Sequence, residues 1–422
     1  MKVLERQISI YLFIIALISY TLPLQAQEDD SMNADFVTVS GVVKDKQTKK
    51  VLPYVNISIP RTNVGTVTNE DGEFTIKVLK TLSASQIEVS HIGYLNEIIP
   101  VGNKNVTNYT VMLEPNVNSL QEVVVHARDP RYIVEEAMRK VDVNFSNQGN
   151  LLTGFYRETA QKGRRFINIS EAIVYVYKTS YRDASVARDR VQLYKGRKLL
   201  SQKSGDTLVV KLLGGPTLSV YVDLAKNPDL LLDENTLHNY SFRMEESVML
   251  NKRLNYVISF VPQVILPYAL YYGKLYIDKE TLSFTRAEIN LSMDDKNKAT
   301  EAILKKKPFG LRFQPQEVSF IITYQQRNGL TYLSYVRNDV RFKCDWKRKL
   351  FATNYTIRSE MVITDAKVQK EEISYKNSFK NSQSLSDKVA DFTDENFWGA
   401  YNIIAPTETL ENAVNKLKKN QK

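Results

Sequence analysis

The sequence predicts a mainly β protein, an N-terminal β-sandwich followed by a large curved antiparallel sheet, half-barrel-like, with a few flanking helices. Three observations carry that expectation. From Val37 to Glu114, short runs of strand formers recur between turn residues, as in FVTVSGVVKD, QIEVSHI and NYTVMLE. From about 150 to 375, longer alternating runs succeed one another, as in RRFINISEAIVYVYKTSY and EVSFIITYQQRNGLTYLSYV. The abundance of tyrosine, 24 in 422 residues, leans the same way.

The chain opens with Lys2 and Arg6, then the apolar run ISIYLFIIALISY from Ile8 to Tyr20. A basic start and an apolar stretch too short to span a bilayer predict a signal peptide over residues 1–26, cleaved near Ala26. The expected location is the periplasm or the outer-membrane periphery of a bacterial envelope. No later run reaches spanning length, so no transmembrane helix is expected in the exported chain. Residues 27–36 (QEDDSMNADF) read as a flexible lead-in. The single cysteine, Cys344, excludes an intrachain disulfide and lies too far downstream for a lipoprotein anchor. A net charge of +10 favours anionic surfaces, such as acidic glycans or lipid headgroups, and the expected partner is an envelope protein, an anionic glycan or a lipid surface. Nucleic acid is not expected, because no recognition motif is present.

Residues 37–114 are expected to form the sandwich, with Val43, Ile57, Phe74, Ile76, Val89 and Val111 inside. Within it, VGTVTNEDGEFTIKV gathers Asn69, Glu70, Asp71 and Glu73 about Gly72. A calcium loop with Gly72 at its sixth position would put Val67 and Val78 at its first and twelfth, where carboxylates are needed. The pattern instead predicts a hairpin with Asp71-Gly72 at an exposed turn, since Asp-Gly suits positive φ.

SGVVKDKQTKKVLPYVNISIPRTNVGTVTNEDGEFTIKV, with SHIGY after it, resembles the carboxypeptidase-regulatory-like, prealbumin-type β-sandwich. The matching marks are Gly41, Val43, Asp45, Leu52-Pro53, Val55, Ile57, Gly65-Thr66, Asn69 to Gly72, Phe74 and Ser90 to Tyr94. Where that family often has glycine after Leu-Pro, this chain has Tyr54. The segment LQEVVV, Leu120 to Val125, resembles the stretch after this domain in SusC-like, TonB-dependent transporters. The resemblance implies the fold; the module is an accessory in many exported proteins, so it implies little about activity.

Residues 115–129 read as a connector. Asp129 is a natural N-cap and Pro130 suits the first turn, predicting a helix over 130–143. With that helix, residues 130–380 read as one large antiparallel β-domain, continuous over 150–375, with the helix on its concave side. LYIDKETLSFTRAEINL resembles a repeat of the LolA-like half-barrels that carry lipoproteins and lipids. The block from DPRYIVEEAM through EAIVYVY resembles an exported envelope-protein family found behind this sandwich. Residues 381–422 form a C-terminal segment ending in a short helix, with Thr407 and Thr409 as candidate caps.

No reaction is spelled out. The three histidines, His91, His126 and His238, lack metal-ligand spacing, so no metal or cofactor is expected. No nucleophile elbow, S-x-x-K or phosphate loop occurs. Cys344 in RFKCDWKRK reads as a structural strand cysteine. Glu158 and Glu171 lie on neighbouring strands; they could face a common groove as glycosidase carboxylates, or pair with Arg157, Arg164 and Arg165. The surface candidate is basic and aromatic: Lys305, Lys306, Lys307 and Phe309, with Lys343, Trp346, Lys347 and Arg348. Such a patch suits an anionic glycan or membrane surface. The reading is a non-catalytic envelope protein, an interaction module fused to a large β-domain. A carrier of lipid or another apolar ligand is the alternative, and a carbohydrate-active hydrolase ranks below it.

Overall fold

The computed structural model describes residues 35–116 and 129–419, except residues 184, 207, 209, 347–351 and 393–396. Leu120 to Val125 and His126 lie outside the described residues.

The N-terminal body has seven strands: β1 (Phe36–Asp45), β2 (Asn56–Ser58), β3 (Gly65–Val67), β4 (Glu73–Leu79), β5 (Gln86–Ser90), β6 (Glu97–Pro100) and β7 (Val106–Leu113). They form two sheets, β4-β1-β7 and β3-β2-β5-β6. Val43, Ile57, Phe74, Ile76, Val89 and Val111 are all buried in the core between them. One pairing departs from the antiparallel expectation, because β1 and β7 run parallel. Gly41 permits it: a Cβ there would stand 1.9 Å from the Tyr109 carbonyl oxygen.

The Asp71-Gly72 turn forms with Gly72 at φ 73°, and the Asn69 side chain closes it by accepting from the N–H groups of Asp71 and Glu73. Its expected exposure is corrected: Gly72 is buried and Asp71 half-buried. The turn is pressed against the rest of the chain. The Asn69 amide donates to the Pro406 carbonyl at 3.0 Å, and Asp71 accepts from the Glu408 N–H at 3.1 Å.

The large body contributes β8 (Asn150–Lys162), β9 (Arg165–Lys178), β10 (Arg190–Leu200), β11 (Lys211–Leu212), β12 (Tyr240–Leu250), β13 (Arg253–Pro262), β14 (Tyr271–Asp278) and β15 (Phe284–Leu291). Then come β16 (Leu304–Lys306), β17 (Leu311–Arg327), β18 (Leu330–Trp346), β19 (Thr353–Val368) and β20 (Ala390–Asp391). Eleven of them make one sheet in the order β12-β13-β14-β15-β17-β18-β19-β8-β9-β10-β20. Two meanders are zipped together where β19 meets β8, and the sheet is antiparallel except for the short β10·β20 pair. β11 and β16 pair separately, outside this sheet.

Alternation decides what each face receives. One face, the inner one, gives Ile258, Leu275, Ile277, Ala287, Ile289, Ile322, Val340 and Phe342 to a single large core. The helix Pro130–Arg139 covers part of this face with Ile133, Val134 and Ala137, with Asp129 capping Arg131. Fully burying an Ile or Val side chain stabilises by about 1.5–3 kcal/mol. The helix breaks at Lys140, and a second turn, Val141–Asn144, comes directly after it. The segment 210–237 completes the cover, inserting Leu224, Ala225, Leu231, Leu232 and Leu237.

The other face, at β18-β19-β8-β9, packs Phe155, Ile173, Tyr335 and Val362 against Trp398, Ile404 and Val67. Both the sandwich and the C-terminal segment therefore dock on the outer face. The segment 397–406 is held between them. Thr66 donates to the Ile403 carbonyl at 2.9 Å, and Asn402 accepts from the Lys77 N–H at 2.7 Å.

Candidate functional site: the groove between sandwich and sheet

The seam leaves an open groove of about 470 Å³. Its walls come from three places: Asn69, Glu70 and Asp71 on the sandwich turn; Arg157, Thr159, Gln161, Arg341, Thr356, Arg358 and Glu360 on β8, β18 and β19; and Thr407, Thr409 and Leu410. The strand residues face outward because alternation sends Tyr355, Ile357 and Ala160 into the inner core. The lining is mixed: hydroxyl, amide and charged groups share it with Phe166, Tyr355 and Leu410.

An ionic network fixes the groove's head. Asp339 accepts from Arg337 Nε and Arg358 Nε, each at 2.6 Å. Arg358 also pairs with Glu70 of the sandwich, and Tyr54 donates its hydroxyl to Glu70 at 2.9 Å. Arg337 lies over the Tyr54 ring at 4.6 Å, and Tyr54 stacks on Tyr335. Burial alone would lower the Arg358 pKa, but Asp339 and Glu70 beside it raise it above the ordinary value. Sequence reading missed this network. Its only trace was YVRNDVRF, where Arg337 and Asp339 share one strand face.

The groove's floor is Arg157. Its Nε meets Glu171 Oε1 at 2.8 Å, and its NH2 donates to the Ile404 carbonyl at 2.8 Å. Glu171 Oε2 takes Arg197 Nε at 3.0 Å. Burial pushes the Glu171 pKa up, yet the two guanidinium groups outweigh it and the net shift is downward. Glu158, one residue along β8, points to the opposite face. There it accepts from the Tyr156 hydroxyl at 3.1 Å, and burial raises its pKa. The two carboxylates do not share a groove. Of the arginines weighed as partners, Arg157 holds Glu171, while Arg165 pairs with Asp206.

A second buried charge cluster lies towards the inner core. Lys178 is sandwiched between Asp189 at 3.1 Å and Asp223 at 2.8 Å. Asp223 also accepts from Tyr181 and Tyr324 at 2.7 and 2.8 Å. All of these groups are satisfied, as a structural network requires. Cys344 is buried, which pushes its thiol up to about 11. His91 stacks at a tilt on Tyr94 in the sandwich. Among the described residues, no three His, Cys, Asp or Glu side chains are grouped to hold a metal ion, and no helix is long and apolar enough to cross a membrane.

The basic and aromatic candidates are spread along one flank and one end of the sheet. Lys305 donates to the Asn381 carbonyl at 2.8 Å, Lys306 stands opposite Lys211, and Lys307 reaches the Leu311 carbonyl at 2.7 Å. Phe309 is fully exposed. Lys343 pairs in register with Gln314 and Asn354, while Trp346, opposite Leu311, is half-buried against the core. Lys347 and Arg348 lie outside the described residues.

The fold and seam define a mainly β chain with an accessory sandwich docked on a large sheet. Residues 39–125 match the model of the CarboxypepD_reg-like domain. Over 87 residues the chain is 34% identical to TonB-dependent receptor P3 of Formosa agariphila, covering 21% of this chain and 8% of that protein. The chain thus spans under a tenth of that relative's length. Among solved structures, a DUF1329 family protein of Desulfovibrio piger overlaps 57% of this chain and 94% of its own, at 10% identity and TM-score 0.24. An outer membrane lipoprotein-sorting protein domain of Vibrio parahaemolyticus overlaps 58% and 94%, at 10% identity and TM-score 0.25.

Proposed function

We propose that this chain is a non-catalytic protein of the bacterial envelope, exported by residues 1–26, whose sandwich and sheet act as one body to hold a polar partner segment in the seam groove. The observation that supports it best is the division of the two faces. The inner face is filled by the chain's own helix and by residues 210–237, whereas the outer face keeps an open groove in which hydroxyls, amides and paired charges alternate with Phe166, Tyr355 and Leu410. Its charges are largely neutralised within the protein. Arg157 is met by Glu171, Arg358 by Asp339 and Glu70, and Arg341 by Glu317 at 3.2 Å. Such a mixed lining fits an uncharged chain that offers both polar groups and apolar faces, a peptide of an envelope protein or a glycan, better than a bare acyl chain. With Glu171 locked by two arginines and Glu158 on the other face, these two carboxylates do not make a glycosidase pair.

A photoreactive residue at Thr356 or Gln161 tests this in the intact envelope. A discrete adduct at both positions, absent with the probe at Val368 on the other end of β19, is expected. Equal labelling at all three would remove the reading. The carrier alternative keeps one supporting observation, a groove of about 380 Å³ against Phe166, Ala413 and Leu417. Native mass spectrometry of protein taken from its own envelope distinguishes the two: a co-purifying lipid with no groove adduct would favour the carrier.

A further inference from the structure

The register of the strands gathers several chain segments at one end of the sheet. Leu311 stands opposite Trp346, Cys344 opposite Thr353, and Tyr355 opposite Lys162. The start of β17, the end of β18, the start of β19 and the β8–β9 turn therefore share that end. Two features there extend beyond the seam groove. The first is the groove of about 380 Å³ between the β8–β9 turn and the helix Glu408–Lys419. Phe166, Ala413 and Leu417 supply its apolar wall, and Arg164, Arg165, Lys203 and Lys416 stand around it. Among the described residues, no carboxylate lines it. Asp206, the nearby acid, is spent on Arg165 and Ser201. The second is Phe309, fully exposed, between Lys307 and Arg312. Asp345 faces Arg312 in register.

We propose that this end of the sheet docks on an anionic lipid bilayer, Phe309 entering the interface and the cationic groove taking one anionic headgroup with the start of its acyl chain. An apolar wall bordered by Arg164, Lys203 and Lys416, with Arg165 already paired to Asp206, matches a molecule that is apolar along its length and negative at its head. A bulky aromatic with cations on either side suits the headgroup layer, where rings are stable and phosphates attract Lys and Arg. This inference rests on the envelope location proposed above; its groove meets the seam groove at Phe166 and Thr409, but none of the residues altered below lines the seam groove, so either can fail alone.

Co-sedimentation with vesicles tests it. Parent protein and variants are compared on phosphatidylethanolamine–phosphatidylglycerol vesicles and on phosphatidylcholine vesicles. Any contribution of residues 1–26 is common to all variants. We expect the parent to prefer the anionic vesicles and to lose binding as salt rises. The triple variant Arg164→Glu, Lys203→Glu, Lys416→Glu should bind at least tenfold more weakly, since each cation near an anionic surface is worth about fivefold. Phe309→Ser should also weaken binding, and Val368→Ser, exposed at the opposite end of β19, should not. All the altered side chains are exposed, and circular dichroism with a melting curve checks that each variant folds. Equal binding to neutral vesicles, or parent-like binding by the folded triple variant, would overturn the proposal. So would binding of a soluble short-chain phosphatidylglycerol with no binding to vesicles, which would make the groove a site for free amphiphiles.

Discussion

Arg157 and Glu171 stand directly opposite each other on β8 and β9, Nε to Oε1 at 2.8 Å, both buried, and together they hold the C-terminal segment through the Ile404 carbonyl. The pair is therefore a junction between hairpin and docked segment. Glu171→Gln removes the charge that offsets Arg157 and Arg197. Breaking a buried pair by removing one partner costs about 3–5 kcal/mol. Urea unfolding of the variant should show a loss of that size, with the slope unchanged. A loss under about 1 kcal/mol, the range of exposed pairs, would show that the arginines are well solvated without Glu171.

At the head of the groove, Glu70 is half-exposed, so its link to Arg358 is worth less. A double-mutant cycle of Glu70→Gln and Arg358→Gln should return a coupling of about 1 kcal/mol or less, shrinking with added salt. A coupling above about 2 kcal/mol would mean the seam excludes water more completely than its open groove implies.

The β-sandwich was legible because its alternation, its Asp-Gly turn and its Leu-Pro pair are local signals. The long strands of the sheet were legible for the same reason. Three things were not. The exposure of Asp71-Gly72 depends on Pro406 and Glu408, far along the chain. The β19·β8 join is a pairing between distant strands, which no local pattern marks. The pairing of Glu171 could be weighed from its neighbours, but whether Glu158 faced the same way turned on the pleat. A shift of one residue reverses a side chain's face.

The histidine in the sandwich gives the chain a pH-sensitive point. His91 lies against Tyr94 and near Arg286, and its pKa falls from 6.5 to about 4, chiefly by burial and then by the arginine's charge. Below pH 6.5 the unfolded chain takes up a proton that the folded chain resists until about pH 4. This contribution to stability is thus full above pH 6.5 and is lost as pH falls towards 4. Urea midpoints measured across that window should drop for the parent and drop less for His91→Gln. Parallel curves for the two proteins would mean that His91 titrates normally.

Trp398 is the anchor of the docked segment. It is buried edge-on against the Phe155 ring at 5.4 Å, and Phe397 packs on it. Trp398→Ala should cost about 3–5 kcal/mol, as large-to-small changes at buried aromatics do. Thermal unfolding followed by circular dichroism would measure it. A cost below about 1 kcal/mol would mean that the outer face closes over the gap.

Removing the segment altogether asks what joins the two bodies. Residues 397–408 give the sandwich six of its polar contacts, through Ile403, both ends of the Asn402 amide, the Gly399 and Pro406 carbonyls and the Glu408 N–H. They also fill the apolar space between Val67 and Ile173. The remaining links would be scattered, among them the Arg358–Glu70, Arg337–Glu70 and Lys252–Glu88 pairs, the Gly93 N–H on the Met249 carbonyl, the Gln325–Ser58 bond, the Tyr54–Tyr335 stack, and the contacts of Asn63 with Ala366 and Arg327. The ion pairs among them involve partly exposed side chains, and an exposed pair is worth about 1 kcal/mol or less. The full chain should therefore unfold in one cooperative transition, because the segment couples both cores. A chain ending at residue 396 should unfold in two, the sandwich separating from the sheet, since each has its own buried core. Differential scanning calorimetry reads this directly. A single transition in the shortened chain, at any temperature, would show that the direct contacts alone couple the bodies and that the segment only adds stability.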